Sequence, residues 1–196
     1  MCGHDDERLV ETFTNEEKGL VLRIYQDTEA ENPREGENFG KMLCWHRKYK
    51  MGDIKDFENP EDFMEYVERE NIVFLPVFMY EHTGICLSTS DAKYPFSDRF
   101  DAGQLGYIYM SNEVLIKEFD GDREKAVECL KAEVVVYSAY LSGEVFSYVL
   151  SKAVYDENGE IDDDPDAEGD FISSCGGFYG DDYKASGLFE AAEWEE

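Results

Sequence analysis

The residues best suited to chemistry surround His82, which follows Glu81 in a predicted tight turn. Asp101 and Gln104 lie within 22 residues of His82 along the chain, and a β-hairpin could bring them to one end of a sheet. A histidine oriented by a carboxylate can act as a general acid or base near neutral pH. One hypothesis is therefore a small hydrolase or RNase-like site with His82, Asp101 and Gln104 as catalytic residues and Arg34 as a phosphate ligand.

The simpler alternative is that His82 and Asp101 hydrogen-bond to loop backbone. The sequence contains no GxSxG elbow, P-loop, HExxH or dinucleotide fingerprint, so no motif names a nucleophile or a metal for this site.

A second cluster combines cations and aromatic rings. Residues 41–55 hold five basic and one acidic side chain, and rings beside cations are typical of phosphate or nucleic-acid contacts. Internal salt bridges to neighbouring carboxylates are the more ordinary interpretation. The candidate contact residues are Arg34, His46, Arg47 and Lys48.

The glycine-rich run SSCGGFYG at 173–180 is a third candidate. Its glycines could let a backbone approach a ligand closely, or could form a tight connection between two elements. No typical phosphate-binding helix start follows, which favours the connection.

The overall charge constrains the partners. The 196 residues include 46 acidic and 18 basic side chains, giving a net charge of −28 and a pI of about 4.2. Residues 156–196 alone carry −14, and 156–170 reads as a solvated acidic loop. Such a surface repels a phosphate backbone, so direct nucleic-acid binding is expected only through Lys41 to Lys55. It can instead occupy the basic groove of a nucleic-acid-binding protein, or simply provide solubility.

The five cysteines are scattered without a CxxC pair, which favours buried free thiols in a reducing compartment. Cys44 and His46 alone are a weak metal signal, so the sequence predicts no metal and no cofactor. No apolar run approaches the length of a bilayer span and no signal-peptide pattern is present, so we expect a cytoplasmic, soluble protein.

Periodicity predicts the elements that must position these residues. The expected strands are 19–25, 41–45, 72–80, 85–88, 104–110, 144–155 and 171–175. Expected helices begin at Pro60, after Ser111, at Asp122 for about 20 residues, and at 182–194. Pro76 predicts an edge strand or a bulge. Together they predict an α+β fold in one domain spanning 1–196, with an antiparallel sheet packed on one long helix, short additional helices, and 156–170 as an acidic loop insertion.

Three sequence blocks resemble a known family. They are ENPREGENFGKMLCWHRKYKMGD (31–53), LPVFMYEHTGICLSTS with DRFDAGQLGYIYMS (75–90, 98–111), and SGEVFSYVL with SSCGGFYG (142–150, 173–180). They resemble a widespread family of small acidic proteins encoded by phages, prophages and plasmids, over about residues 20–185.

The resemblance implies an accessory function of a mobile element, among which counter-defence is frequent. The leading hypothesis is a non-enzymatic, anti-CRISPR-like inhibitor whose carboxylates contact a basic groove of a host nuclease. An accessory phage protein without inhibitory role is a further alternative. The expected partner-binding residues lie on the long helix and the acidic loop: Asp122, Glu124, Glu128, Glu133, Asp162, Asp163, Asp164 and Asp166.

Overall fold

The structure is a computed structural model that describes residues 8–53, 56–81, 84–89, 102–162, 167 and 169–195. A short 3-10 turn occupies Pro33–Glu35. The strands and helices, in chain order, are β1 (Leu9–Asn15), β2 (Leu20–Gln26), β3 (Lys41–Cys44), α1 (Pro60–Glu70), β4 (Val73–Glu81), β5 (Ile85–Thr89), β6 (Ala102–Met110), α2 (Asn112–Phe119), α3 (Arg123–Ser142), β7 (Val145–Lys152), β8 (Phe171–Tyr179) and α4 (Leu188–Ala191).

The chain forms two compact units. Unit 1 comprises Met1–Glu31 and Gly143–Glu196, and unit 2 comprises Asn32–Ser142. Each unit contains a four-stranded antiparallel sheet. The α+β class is therefore confirmed, while the expectation of one sheet is wrong because the strands divide between two. That 1–196 is one domain stays a prediction. Among the helices of the described residues, none has the length and apolarity needed to cross a membrane.

Unit 1 has the strand order β1-β2-β7-β8. Leu22 pairs with Leu150 and Ile24 with Tyr148, so these four side chains share one face of the sheet. The C-terminal segment covers that face and closes the core. The core is formed by Leu22, Ile24, Phe146, Tyr148, Leu150, Leu188, Phe189 and Ala192.

Unit 2 has the strand order β3-β6-β4-β5, and α3 packs against one face of its sheet. Ala126, Leu130, Val134 and Tyr137 recur at helical spacing and are buried. Because these side chains form one stripe, α3 can bury it against the sheet. The sheet side of this core includes Met42, Leu75, Val77, Met79, Ile108 and Met110.

A second core lies on the opposite face of the unit 2 sheet. Phe63 and Val67 of α1 are buried against Leu43 and Tyr109. Asn59 caps α1 by accepting a hydrogen bond from the backbone N–H of Asp62. The sheet of unit 2 is thus covered on both faces by helices.

The local predictions agree with the structure better than the sheet prediction. The helices at Pro60 and at 123–142 and the β4–β5 hairpin are confirmed. Pro76 lies in a central strand, not at an edge, but β5 pairing begins only at Val77 and a bulge follows. Strand β1 was not expected, since its mixed polarity is that of an edge strand.

The C-terminal helix is much shorter than expected. Only Leu188–Ala191 is helical. Asp182 instead accepts hydrogen bonds from the backbone N–H groups of Lys184 and Ala185, and Gly187 has a φ of 81°. These turn conformations interrupt the helical pattern.

Candidate functional site

Arg34 is enclosed inside unit 2, with its side chain 4% exposed. Its Nε and Nη2 donate to Asp53, Nη1 donates to Glu133 Oε2 at 2.7 Å and to Asn38 Oδ1 at 3.1 Å, and Nη2 also donates to the Gly40 carbonyl at 2.8 Å. Burial opposes the charge, but the hydrogen bonds to Asp53 and Glu133 outweigh it and raise the pKa of Arg34. Arg34 therefore holds its own loop in place and does not present its guanidinium to a phosphate.

Glu133 is equally committed. Its Oε1 accepts hydrogen bonds from the backbone N–H groups of Phe39 at 2.9 Å and Gly40 at 3.0 Å, while Oε2 binds Arg34. Its side chain is 13% exposed. Glu133 therefore fixes the 31–40 loop to α3 and does not offer its carboxylate to a partner, contrary to the sequence-based expectation.

The other candidate carboxylates on α3 and directly before it are partly neutralised. Asp122 accepts hydrogen bonds from the backbone N–H of Lys125 and pairs with its side chain, which lowers the Asp122 pKa. Glu128 pairs with Lys131 Nζ at 2.9 Å. Glu124 is exposed on the same helix. Because lysines alternate with these carboxylates, α3 presents mixed charge instead of a run of negative charge.

The negative charge is concentrated in unit 1. Unit 1 carries 25 acidic and 5 basic side chains in 85 residues, a net charge of −20. Unit 2 carries 21 acidic and 13 basic side chains in 111 residues, a net charge of −8. Fifteen carboxylate side chains of unit 1 are exposed among its described residues.

The cations of unit 1 do little to offset this surface. Arg23 is 5% exposed and its Nη2 donates to the Ala167 carbonyl at 3.1 Å. Lys18 pairs with Glu195, and Lys152 pairs with Asp170 at 3.4 Å.

The acidic loop begins with an ordered turn. Asp156 Oδ1 accepts hydrogen bonds from the backbone N–H groups of Asn158 and Glu160, which lower its pKa. Tyr155 and Ile161 pair through an isolated antiparallel β-bridge across this turn. Glu16 and Glu160 line a recess of about 490 Å³ beside it. Asp162 is half-buried and donates its backbone N–H to Val154, whereas Asp163, Asp164 and Asp166 lie outside the described residues.

The glycine-rich run is a structural bulge. Gly177 has a φ of 79° and donates its N–H to Asp27 Oδ2 at 2.9 Å. A Cβ at Gly176 would lie 2.7 Å from the same oxygen. The glycines therefore admit the Asp27 carboxylate of the same unit. Because residues 173–179 lie inside β8, the expectation of a tight connection between two elements is wrong.

A groove of about 470 Å³ on unit 2 brings two of the predicted clusters together. It contains Gln104 from the proposed catalytic set and His46 and Arg47 from the proposed phosphate-contact set. We call it the Trp45 groove. Its walls and rim are formed by Trp45, His46, Arg47, Pro60, Gln104 and Tyr107.

The Trp45 groove exists because β3 ends before β6 does. β3 stops at Cys44, opposite Gly106, whereas β6 continues back to Ala102. A bulge at Leu105 shifts the β4–β6 register at the same place, and bulges are common beside functional sites. Gly106 is required at the floor, since a Cβ there would lie 1.9 Å from the Leu43 carbonyl oxygen.

Lys48 connects the basic stretch to the strand that precedes His82. Its ammonium pairs with Glu81, which also accepts from the Tyr49 hydroxyl. The hydrogen bond from Lys48 is the main cause of a lowered Glu81 pKa, and the hydrogen bond from Tyr49 adds to it. The same contact with Glu81 raises the pKa of Lys48. His82 and Asp101 lie outside the described residues, so their proposed roles stay predictions.

The cysteines show no metal arrangement in the part of the chain that the structure describes, where no group of three His, Cys, Asp or Glu side chains could hold an ion. Cys44 donates its Sγ–H to the Tyr49 carbonyl at 3.8 Å. Cys44, Cys86, Cys129 and Cys175 are free thiols, and the expectation that they are buried is wrong for Cys86 and Cys175, which are exposed.

No protein-family model, curated protein or solved structure matches this chain. The resemblance to phage and plasmid proteins therefore stays a prediction.

Sequence reasoning missed two features of this region. The Arg34–Glu133 ion pair joins residues 99 positions apart, so the sequence predicts internal salt bridges in that cluster without naming Glu133. Tyr107 is not among the site residues predicted from the sequence, although it recurs at two-residue spacing with Leu105 and Tyr109 in a predicted strand. The signal that could have found it is the pairing of that strand with β3, which periodicity does not give.

Proposed function

We propose that the chain is a counter-defence protein that binds a host nucleic-acid-targeting nuclease through the acidic surface of unit 1. The observation that carries the proposal is the concentration of −20 of the total −28 charge on 85 residues. The proposal moves the expected contact away from α3 and its start, where Glu133 binds Arg34 and where Asp122 and Glu128 are paired with lysines. The relevant compartment is the bacterial cytoplasm.

The physical basis is competition for a basic groove. A groove that binds nucleic acid presents lysine and arginine side chains that release counterions when they meet phosphates. Most of the exposed carboxylates of unit 1 lie in the turns and loops beside its sheet, where they can meet the same cations. Such complexes associate quickly, and their association slows as salt increases. The resemblance to phage and plasmid proteins supports a counter-defence setting.

The experiment is affinity capture from a nuclease-treated bacterial lysate at low and high salt, followed by identification of the captured proteins. We expect capture of a nucleic-acid-binding protein at low salt only, and displacement of that protein by duplex DNA. Two matched variants locate the surface. The unit 1 variant carries Glu16→Gln, Glu17→Gln, Glu157→Gln and Glu160→Gln. The unit 2 control carries Glu37→Gln, Glu65→Gln, Glu68→Gln and Glu113→Gln.

All eight glutamates are exposed, and each variant removes four negative charges. We expect the unit 1 variant to lose capture and the unit 2 control to retain it. Equal loss of capture in both variants would show that the partner responds to the net charge of the chain, and would contradict a binding surface on unit 1. Capture that persists at high salt, or that DNA does not displace, would contradict the proposal. Absence of any partner would favour an accessory phage protein without inhibitory role.

A small hydrolase or RNase-like enzyme is the second candidate. The observation that favours it is the presence of Gln104 in one groove with His46 and Arg47. It predicts that His82→Ala keeps the fold and loses hydrolysis of RNA or nucleotides. Unchanged turnover in His82→Ala would exclude His82 as the acid or base.

A further inference from the structure

The Trp45 groove has aromatic walls that are fixed before any ligand arrives. The Trp45 indole Nε1 donates to the Phe57 carbonyl at 3.4 Å, and its ring meets Tyr107 edge to face with centroids 6.2 Å apart. Phe63 supports both rings from the core side, at 6.4 Å and 5.1 Å. Because these contacts hold the rings, Trp45 is a preorganised surface for stacking with a planar ligand.

The charge at the groove is opposite to that of the whole chain. No carboxylate is among the described residues that line it. Arg47 is exposed and makes no ion pair with any residue in the described ranges, whereas its neighbour Lys48 is paired with Glu81. A guanidinium in this position can bind a phosphate through two parallel hydrogen bonds.

Two further side chains supply hydrogen-bonding groups. Gln104 Nε2 donates to the Gly106 carbonyl at 3.3 Å, which orients the amide and leaves its oxygen as an acceptor. The His46 ring stacks on Tyr49, and its Nδ1 accepts from the Tyr49 backbone N–H at 3.3 Å. The proton of neutral His46 is therefore on Nε2, which can donate.

From these observations we infer that the Trp45 groove binds a mononucleotide. The base stacks on Trp45, Gln104 hydrogen-bonds to the edge of the base, and Arg47 binds the phosphate. The groove volume of about 470 Å³ lies within the range of about 300–1,000 Å³ that is usual for small-molecule sites. The inference concerns unit 2 alone and does not depend on the acidic surface of unit 1.

The two tryptophans make the test direct, since Trp45 lies in unit 2 and Trp194 in unit 1. In a Trp194→Phe background, the remaining tryptophan fluorescence reports on the groove. The probes are the four ribonucleoside monophosphates, with adenosine and inorganic phosphate as controls for each half of the ligand. We expect saturable quenching by at least one monophosphate, and weaker binding of adenosine and of phosphate alone.

Arg47→Gln should weaken binding of the monophosphate about ten-fold, as expected when a charged hydrogen-bond partner is lost. Arg69→Gln is the matched control, because Arg69 is an exposed arginine of the same unit outside the groove. It should leave binding unchanged. Calorimetry on Trp45→Leu, with circular dichroism to confirm folding, checks the stacking contact independently.

Absence of saturable quenching by every monophosphate at millimolar concentration would overturn the inference. Equal weakening by Arg47→Gln and Arg69→Gln, or equal binding of adenosine and its monophosphate, would exclude Arg47 as the phosphate ligand and would also overturn it. Failure of the unmodified chain to capture any partner, with intact nucleotide binding, would contradict only the proposed function of unit 1.

Discussion

Unit 1 and unit 2 use charge in opposite ways. In unit 2, cations are placed against carboxylates: Arg34 joins Asp53 and Glu133, and Lys48 joins Glu81. In unit 1, 25 carboxylates face only 5 cations. Unit 2 therefore stabilises its own fold with ion pairs, whereas unit 1 keeps a repulsive surface that can be relieved by counterions or by a basic partner.

The two sheets also differ in how far other elements cover them. The unit 2 sheet is covered by α3 on one face and α1 on the other, and the side chains of the Arg34 ion pairs are at most 18% exposed. In unit 1, edge strand β8 is largely exposed, with Phe171 at 66%. The difference indicates that unit 2 is the better supported scaffold and unit 1 the more sensitive to solution conditions.

Removing the Arg34 guanidinium would break the charge pairing of unit 2. Arg34→Met leaves Asp53 and Glu133 partly buried without their cation, and the loss of one partner from such a pair costs about 3–5 kcal/mol. The measurement is urea unfolding followed at Trp45 in the Trp194→Phe background. Arg69→Met, which breaks the exposed pair with Glu70, should leave the unfolding midpoint nearly unchanged. Equal effects of the two substitutions would contradict a special role for the Arg34 ion pairs.

The close contact at Gly106 gives the next largest effect. Gly106→Ala places a Cβ against the Leu43 carbonyl, and the forced shift of backbone should cost about 2–3 kcal/mol. Gly103, on the same strand, has open space where a Cβ would lie, with no atom within 4 Å, so Gly103→Ala should change the free energy of unfolding by less than about 0.5 kcal/mol. The same urea assay compares the two variants. Similar free energies of unfolding would show that the backbone of β3 and β6 can shift at little cost to accept the Cβ.

Local patterns predicted the elements of unit 2 well. The spacing of Ala126, Leu130 and Val134 predicts α3, and the Asn59-Pro60 pair predicts the start of α1. These signals depend on residues within one or two turns, so sequence alone carries them. The α+β class follows from the same signals.

The division of strands and the site geometry could not be predicted in this way. For the Arg34 cluster the sequence offers internal salt bridges as well as phosphate contact, but it cannot name Asp53 and Glu133 as the partners, because they are 19 and 99 positions away. The Trp45 groove depends on where β3 ends and on a bulge at Leu105, which are properties of strand pairing. The composition identifies the excess of negative charge. The fold is needed to show that residues 1–31 join residues 143–196 in unit 1, which carries most of that charge.

Salt should change the stability of unit 1 more than that of unit 2. Increasing ionic strength from 0.01 M to 1 M shortens the screening length from about 30 Å to about 3 Å. Repulsion within unit 1 should weaken, raising its free energy of unfolding by about 1 kcal/mol, with a smaller change for unit 2. Urea unfolding followed at Trp194 in a Trp45→Phe background reports unit 1, and the Trp45 signal reports unit 2. An equal response of both signals would contradict the distinction drawn from their charges.

The smallest expected effect is the titration of Glu81, an example of the local charge pairing in unit 2. The hydrogen bonds from Lys48 and then Tyr49 lower its pKa below the ordinary value for glutamate, about 4.3. A lowered pKa means that the contact stabilises the folded state above that value and is lost as pH falls through the folded pKa. Carboxyl-carbon NMR should show the lowered midpoint, and Lys48→Gln should raise it toward the ordinary value. An unchanged midpoint in Lys48→Gln would show that Lys48 does not stabilise the Glu81 carboxylate, and that the basic stretch is held beside β4 by other contacts.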